Sequence, residues 1–99
     1  MRVVFDPAAQ AEFNAVQQQY ELKNAGLGQE FAESVRQGLR RVLAQPLSCP
    51  IEVPVFRRLV LKRFPYKVMY SVEADSVYVV AIAHQRREQN YWHTRIVNQ

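Results

Sequence analysis

The chain has 99 residues, 48% of them hydrophobic, 22% charged and 11% aromatic, which suits one compact domain over residues 1–99 with its own core and excludes long disordered arms. Thirteen Lys and Arg against nine Asp and Glu give a net charge of +4. A single cysteine, Cys49, excludes an internal disulfide, and no Cys/His set has metal-ligand spacing, so neither a stapled secreted domain nor a zinc module is expected, and a reducing cytoplasm is.

Residues 2–5 (RVVF) are β-branched or aromatic and predict a strand that stops at Asp6-Pro7. The same dipeptide opens a helix, with Asp6 as cap and Pro7 in the first turn. That helix should reach about Asn24, its stripe being Ala9, Phe13, Val16 and Tyr20, with Gln10, Glu12, Gln17, Gln18 and Glu21 turned to water. The charge beside the only short apolar run in MRVVFDPAAQAEF predicts neither a signal peptide nor a membrane span. Ala25-Gly26 breaks the pattern. A second helix then carries Phe31, Val35, Leu39, Val42 and Leu43 on one face until Pro46, completing a helical hairpin.

Three prolines within residues 46–54 predict a stiff connection without regular structure. From Val55 the period becomes that of strands: VFRRLVLKRF is one, and YKVMYSVE alternates, with Tyr66, Val68, Tyr70 and Val72 on one face and Lys67, Met69, Ser71 and Glu73 on the other. This predicts a half-covered strand. Residues 74–76 make a hairpin turn, and VYVVAIA is the apolar run of a central strand covered on both faces. The order β-α-α-β-β-β predicts an α+β fold, a helical hairpin on one face of a small antiparallel sheet, the other face being left open.

Charge is uneven along this order. Residues 1–50 hold five basic and five acidic side chains, whereas residues 51–99 hold eight basic and four acidic, so the surplus belongs to the sheet and tail and suits an anionic partner. Basic side chains fall in four adjacent pairs, Arg40-Arg41 in the first half and Arg57-Arg58, Lys62-Arg63 and Arg86-Arg87 in the second. Neighbours in a strand point to opposite faces, so at most half of these share a surface. The tail from His84 to Arg95 gathers His84, Arg86, Arg87, Tyr91, Trp92, His93 and Arg95, groups able to neutralise a phosphate, move protons or stack on a base. Against this stands the plainer expectation that Tyr91 and Trp92 cover the sheet edge and His84 caps a strand. No metal site, cofactor motif or nucleophilic triad is read from the chain.

The strand Phe64-Pro65-Tyr66-Lys67-Val68-Met69-Tyr70 and the tail H-x-R-R-x-x-x-Y-W from His84 to Trp92, with VFDPAAQAEF and LRRVLAQP before them, resemble the RelE/ParE superfamily of toxins from bacterial type II toxin-antitoxin systems, among them ParE-like plasmid stabilization proteins. The resemblance spans almost the whole chain and implies the fold just derived, growth arrest, neutralisation by a cognate antitoxin protein and no cofactor. RelE-like members cut mRNA on the ribosome with basic sheet residues and a C-terminal Tyr or His; ParE-like members poison DNA gyrase and lack that set. For a nuclease, the resemblance places candidates at Lys67, His84, Arg86, Arg87 and Tyr91. For target binding it implies Arg57, Arg58, Lys62, Arg63, Arg87, Tyr91, Trp92 and Arg95. Gln85 stands where nucleases carry an arginine at the end of the last strand, and the Arg-Arg and Tyr-Trp pairs look ParE-like. The expectation is therefore a cytoplasmic, ParE-like gyrase inhibitor, the alternatives being a RelE-like ribosome-dependent mRNA endonuclease and a non-toxic binder of an antitoxin, in no case a membrane protein.

Overall fold

A computed structural model of the chain describes residues 1–87 and 91–97. Its elements are β1 (Arg2–Phe5), α1 (Pro7–Lys23), α2 (Leu27–Ala44), β2 (Ile51–Val53), β3 (Phe56–Val60), β4 (Tyr66–Val72), β5 (Ser76–His84) and a short α3 (His93–Val97). The strands form one sheet in the order β1-β5-β4-β3-β2. No helix among the described residues is long and apolar enough to cross a membrane.

Asp6 opens α1 as its sequence predicts: one carboxylate oxygen accepts the Ala8 N–H at 2.9 Å, and the other accepts the Tyr78 hydroxyl at 2.6 Å, tying the helix start to β5. The hairpin turns at Gly26, whose φ of +90° is left-handed and suits glycine. Glu21 caps the entry to α2 by accepting the N–H groups of Gly26 and Gly28 at 2.9 and 3.0 Å. The helices close so tightly there that a Cβ on Gly28 would lie 2.5 Å from the Gln17 carbonyl oxygen.

The two predicted stripes lie on one sheet face, where Ala9, Val16, Phe31, Val35, Leu39 and Val42 are buried against Val68, Tyr70, Val77, Val79 and Ile82. Phe31 sits at its centre, with ring centroids of Phe13, Tyr20, Phe64 and Tyr66 between 5.4 and 5.8 Å away. The Tyr70 hydroxyl donates to the Pro46 carbonyl at 3.2 Å, joining the sheet to the chain leaving α2.

Four details differ from the sequence expectation. The proline-rich connection contains strand β2, because Pro50 and Pro54 bracket residues 51–53 rather than interrupt them. Pro54-Val55 makes the turn into β3, with Val55 at φ +64°, uncommon for a β-branched residue. The sheet is mixed, not wholly antiparallel, because β1 runs parallel to β5; side-chain alternation marks a strand without giving its direction. Strand β3 ends at Val60, and residues 61–65 bend away with Leu61 and Phe64 turned into the core.

The fourth difference concerns the face expected to be open. Lys67, Met69 and Ser71 are buried, so β4 is covered on both sides. A bulge between Met69 and Tyr70 shifts the pairing with β5, and Phe56, Met69, Val80 and Ala81 form a second cluster capped by Trp92. The chain after β5 returns over the sheet as its lid. Polar composition concealed this, since the tail packs through a few large rings rather than a continuous apolar stripe.

Candidate functional site

The cationic residues singled out from the sequence separate into engaged and free groups. Arg57 and Arg58 leave β3 on opposite faces, as alternation requires. Arg57, cross-strand from the core residue Tyr70, donates to the carbonyls of Leu47 and Cys49 at 3.0 and 2.6 Å and so brackets the loop after α2. Arg58 lies opposite Met69, half-buried on the lid side. Lys62 and Arg63 are exposed on the turn after β3. Arg63 is bound to Glu30 of α2 at 2.6 Å, with its guanidinium 5.4 Å from the Phe64 ring centroid.

Lys67 is the most confined of the set. Its ammonium lies 2.7 and 2.8 Å from the two carboxylate oxygens of Glu52, and both side chains are buried, at 6% and 9% exposure. A buried charge persists only when paired, so Glu52 fixes Lys67 in place and β2 is tethered across β3 to β4.

At the end of β5, His84 caps the following turn. Its carbonyl accepts the Arg87 N–H at 3.0 Å and its Nδ1 accepts the Arg86 N–H at 3.1 Å, while its ring meets Tyr66 edge-on at 5.2 Å. Arg86 and Arg87 are exposed, and Arg87 stacks on Tyr91 with 3.8 Å between guanidinium and ring centroid. The intervening positions of the H-x-R-R-x-x-x-Y-W motif, 88–90, lie outside the described residues.

Beyond them the tail is built as structure. Trp92 is fully buried against Phe56 at 5.4 Å, so the structure places this candidate target-binding ring in the core of the lid and not on the surface. Arg95 donates to both oxygens of Glu12 at 3.0 and 2.9 Å and to the Val80 carbonyl at 2.9 Å. Its pKa is raised, first by the Glu12 hydrogen bonds. The Tyr91 hydroxyl is buried, with no hydrogen-bond partner among the described residues. Burial first, and the Glu12 carboxylate second, push its pKa up to about 12, leaving it a weak acid and no base at neutral pH.

Two residues essential to this arrangement escaped sequence reasoning. Glu52 lay in the supposed irregular connection. Glu12 was assigned to water, although it stands three residues after Ala9 and four before Val16, flanking the buried stripe at helical spacing. Glu12 also accepts the Ile82 N–H at 3.1 Å, and with Arg95 it occupies the edge of β5 beyond the end of β1. Lys62, Arg86 and Arg87 are exposed cations with no carboxylate partner among the described residues. No three His, Cys, Asp or Glu among the described residues are grouped to hold a metal ion.

A solved structure described as the chromosomal ParDE TA system from P. aeruginosa has the same fold, with a TM-score of 0.61 at 20% identity over 85% of this chain and 95% of that one. No curated protein matches the chain. Residues 3–89, from β1 through the arginine pair after β5, match the family model described as ParE toxin of type II toxin-antitoxin system, parDE. The Lys67–Glu52 pair and the His84 turn fall inside that match; Tyr91, Trp92 and Arg95 lie beyond it. The chain belongs to the ParE toxin family of type II toxin-antitoxin systems.

Proposed function

We propose that this toxin arrests bacterial growth by binding DNA gyrase in the cytoplasm, that residues 1–99 form a single toxin domain, and that a cognate antitoxin holds it inactive. The observation that carries the choice of target is the burial of Lys67 in its ion pair with Glu52. Cleavage of RNA through the 2′-hydroxyl needs cations at the scissile phosphate and a group to move protons. Lys67 has its charge already balanced and is shut away from solvent, and Tyr91 keeps its hydroxyl buried and its proton tightly held. What is left for contact is a set of exposed cations without a carboxylate partner among the described residues, Lys62, Arg86 and Arg87, with Arg58 half-exposed, which suits binding to an anionic or acidic surface better than turnover. The same cations complement an acidic antitoxin segment.

The test is purified toxin in two parallel assays, gyrase supercoiling with trapping of cleaved DNA and cleavage of mRNA on programmed ribosomes. Loss of supercoiling or accumulation of broken DNA, with intact mRNA, is expected. Ribosome-dependent mRNA cuts with gyrase unaffected at saturating toxin overturn the reading in favour of the nuclease. If the chain expressed alone leaves growth unchanged, it acts only as a partner for an antitoxin.

A further inference from the structure

Where β4 begins and β5 ends, a cleft lies against α1 on the helical side of the sheet, opposite to the face that buries Lys67. Tyr66 and His84, partners in register, form its floor. The cleft comprises two adjoining hollows that share Gln19, Tyr66 and His84 in their linings: one, of about 250 Å³, reaches Lys23, and the other, of about 230 Å³, reaches Arg87. Neither Lys23 nor Arg87 has a carboxylate partner among the described residues. The one carboxylate in the lining, Glu12, has its charge balanced by Arg95.

The backbone adds donors to this cationic setting. Pairing of β5 with β1 stops at Val79, and beyond it Arg95 and Glu12 take the Val80 carbonyl and the Ile82 N–H. Strand alternation puts the His84 N–H, two residues on, along the same strandless edge beside the cleft. The His84 ring accepts through Nδ1 from the Arg86 N–H, so in the neutral ring the proton sits on Nε2, a second donor. The Gln19 side-chain amide supplies a third. Neutral donors between two cations, with an aromatic floor, fit a tetrahedral oxyanion carried on a planar ring system.

We infer that this cleft is a phosphate site that takes the phosphate of a nucleotide, free or within a nucleic-acid strand, between Lys23 and Arg87. The site stands independently of the toxin's target. Its test is a titration of the purified full chain, followed by NMR, with inorganic phosphate, a 5′-deoxymononucleotide and a short single-stranded oligodeoxynucleotide in separate arms. Shifts confined to the Gln19 side-chain amide, the His84 N–H and imidazole, and the Tyr66 ring are expected. A response to phosphate and mononucleotide identifies a free phosphate ester as sufficient; a response to the oligonucleotide alone identifies the strand. Lys23→Gln, on an exposed position, should weaken binding about fivefold, the range of one exposed charge contact. Arg36→Gln, which removes an equal charge paired to Glu33 on α2, should leave it unchanged. Absence of these shifts at saturating ligand, or equal weakening by Lys23→Gln and Arg36→Gln, overturns the site.

Discussion

On the helical face of the sheet, aromatic and aliphatic side chains from α1 and α2 interlock around Phe31, and their attraction is non-directional. On the lid face, the buried Glu52–Lys67 pair ties β2 to β4, and a short return of chain is held by Arg95 on Glu12 and Val80 and by Trp92 packed on Phe56. That packing buries the Trp92 indole N–H without a partner among the described residues. Area burial tolerates small losses evenly; a charge clamp fails when one partner goes. The helical face should therefore set global stability, and the lid should open as a smaller unit of its own.

The largest expected effect tests the first half of this contrast. Phe31→Ala removes a fully buried ring touching four others and should cost about 3–5 kcal/mol, a large share of the stability of a domain this size. Urea unfolding measures it. A loss smaller than that caused by any single lid substitution would reverse the ranking of the two faces.

Next comes Lys67→Met, which leaves the Glu52 carboxylate buried without its cation and should cost about 3 kcal/mol. The double variant Lys67→Met with Glu52→Leu should recover most of that loss, because an apolar pair of similar volume needs no charge compensation. Recovery in the double variant, read from the same urea curves, separates a buried pair from a surface one, for which both single changes would be near neutral.

The two faces also differ in how far the sequence disclosed them. The helical face was legible because each stripe repeats at a period that a packed helix alone satisfies, and Asp6-Pro7 and Gly26 mark where the helices begin and turn. The apolar run of β5 likewise announced a central strand. Of the lid, only the covering of the sheet by Tyr91 and Trp92 was legible; its contacts were not, because they join residues far apart in the chain with no local period: Glu12 to Arg95, Glu52 to Lys67, Phe56 to Trp92. Sequence pattern singled out three of these side chains, Lys67, Trp92 and Arg95, as cations or a ring suited to a target or its chemistry; folding had committed Lys67 to Glu52, Trp92 to Phe56 and Arg95 to Glu12. The direction of β1 escaped for a related reason, since a parallel neighbour is chosen by the path of the whole hairpin between the strands and not by residues 2–5.

Arg95→Ala sharpens the second half of the contrast. It removes two charge-assisted contacts to Glu12 and the donor to the Val80 carbonyl, a loss of about 2 kcal/mol. The loss should be local. Trp92 emission should shift to the red and exchange at the Ile82 N–H should rise, while amides of α2 stay protected. Arg95→Lys keeps the charge but not the two-point grip, and should fall between. Uniform loss of protection across α2 and the lid would show that the two faces open together.

The smallest effect is at Tyr91, and it depends on pH. At neutral pH Tyr91→Phe removes a hydroxyl buried without a partner among the described residues, so stability should change by no more than about 0.5 kcal/mol. Alkaline solution distinguishes the two proteins. An unfolded tyrosine titrates near 10, whereas burial and the Glu12 carboxylate push Tyr91 up to about 12 in the folded chain. Between those values the unfolded chain has lost its proton and the folded one retains it, so this contribution is whole below pH 10 and drains away as pH rises toward 12. Because the ring is partly open to solvent, the amount is on the order of 1 kcal/mol. The phenylalanine variant should lose stability less steeply across that window, retaining a slope from Tyr20 and Tyr70, whose pKa values burial also raises. Identical alkaline limbs for the two proteins would mean that the Tyr91 hydroxyl meets water in solution, and that the lid is open at its first turn even when Trp92 is seated.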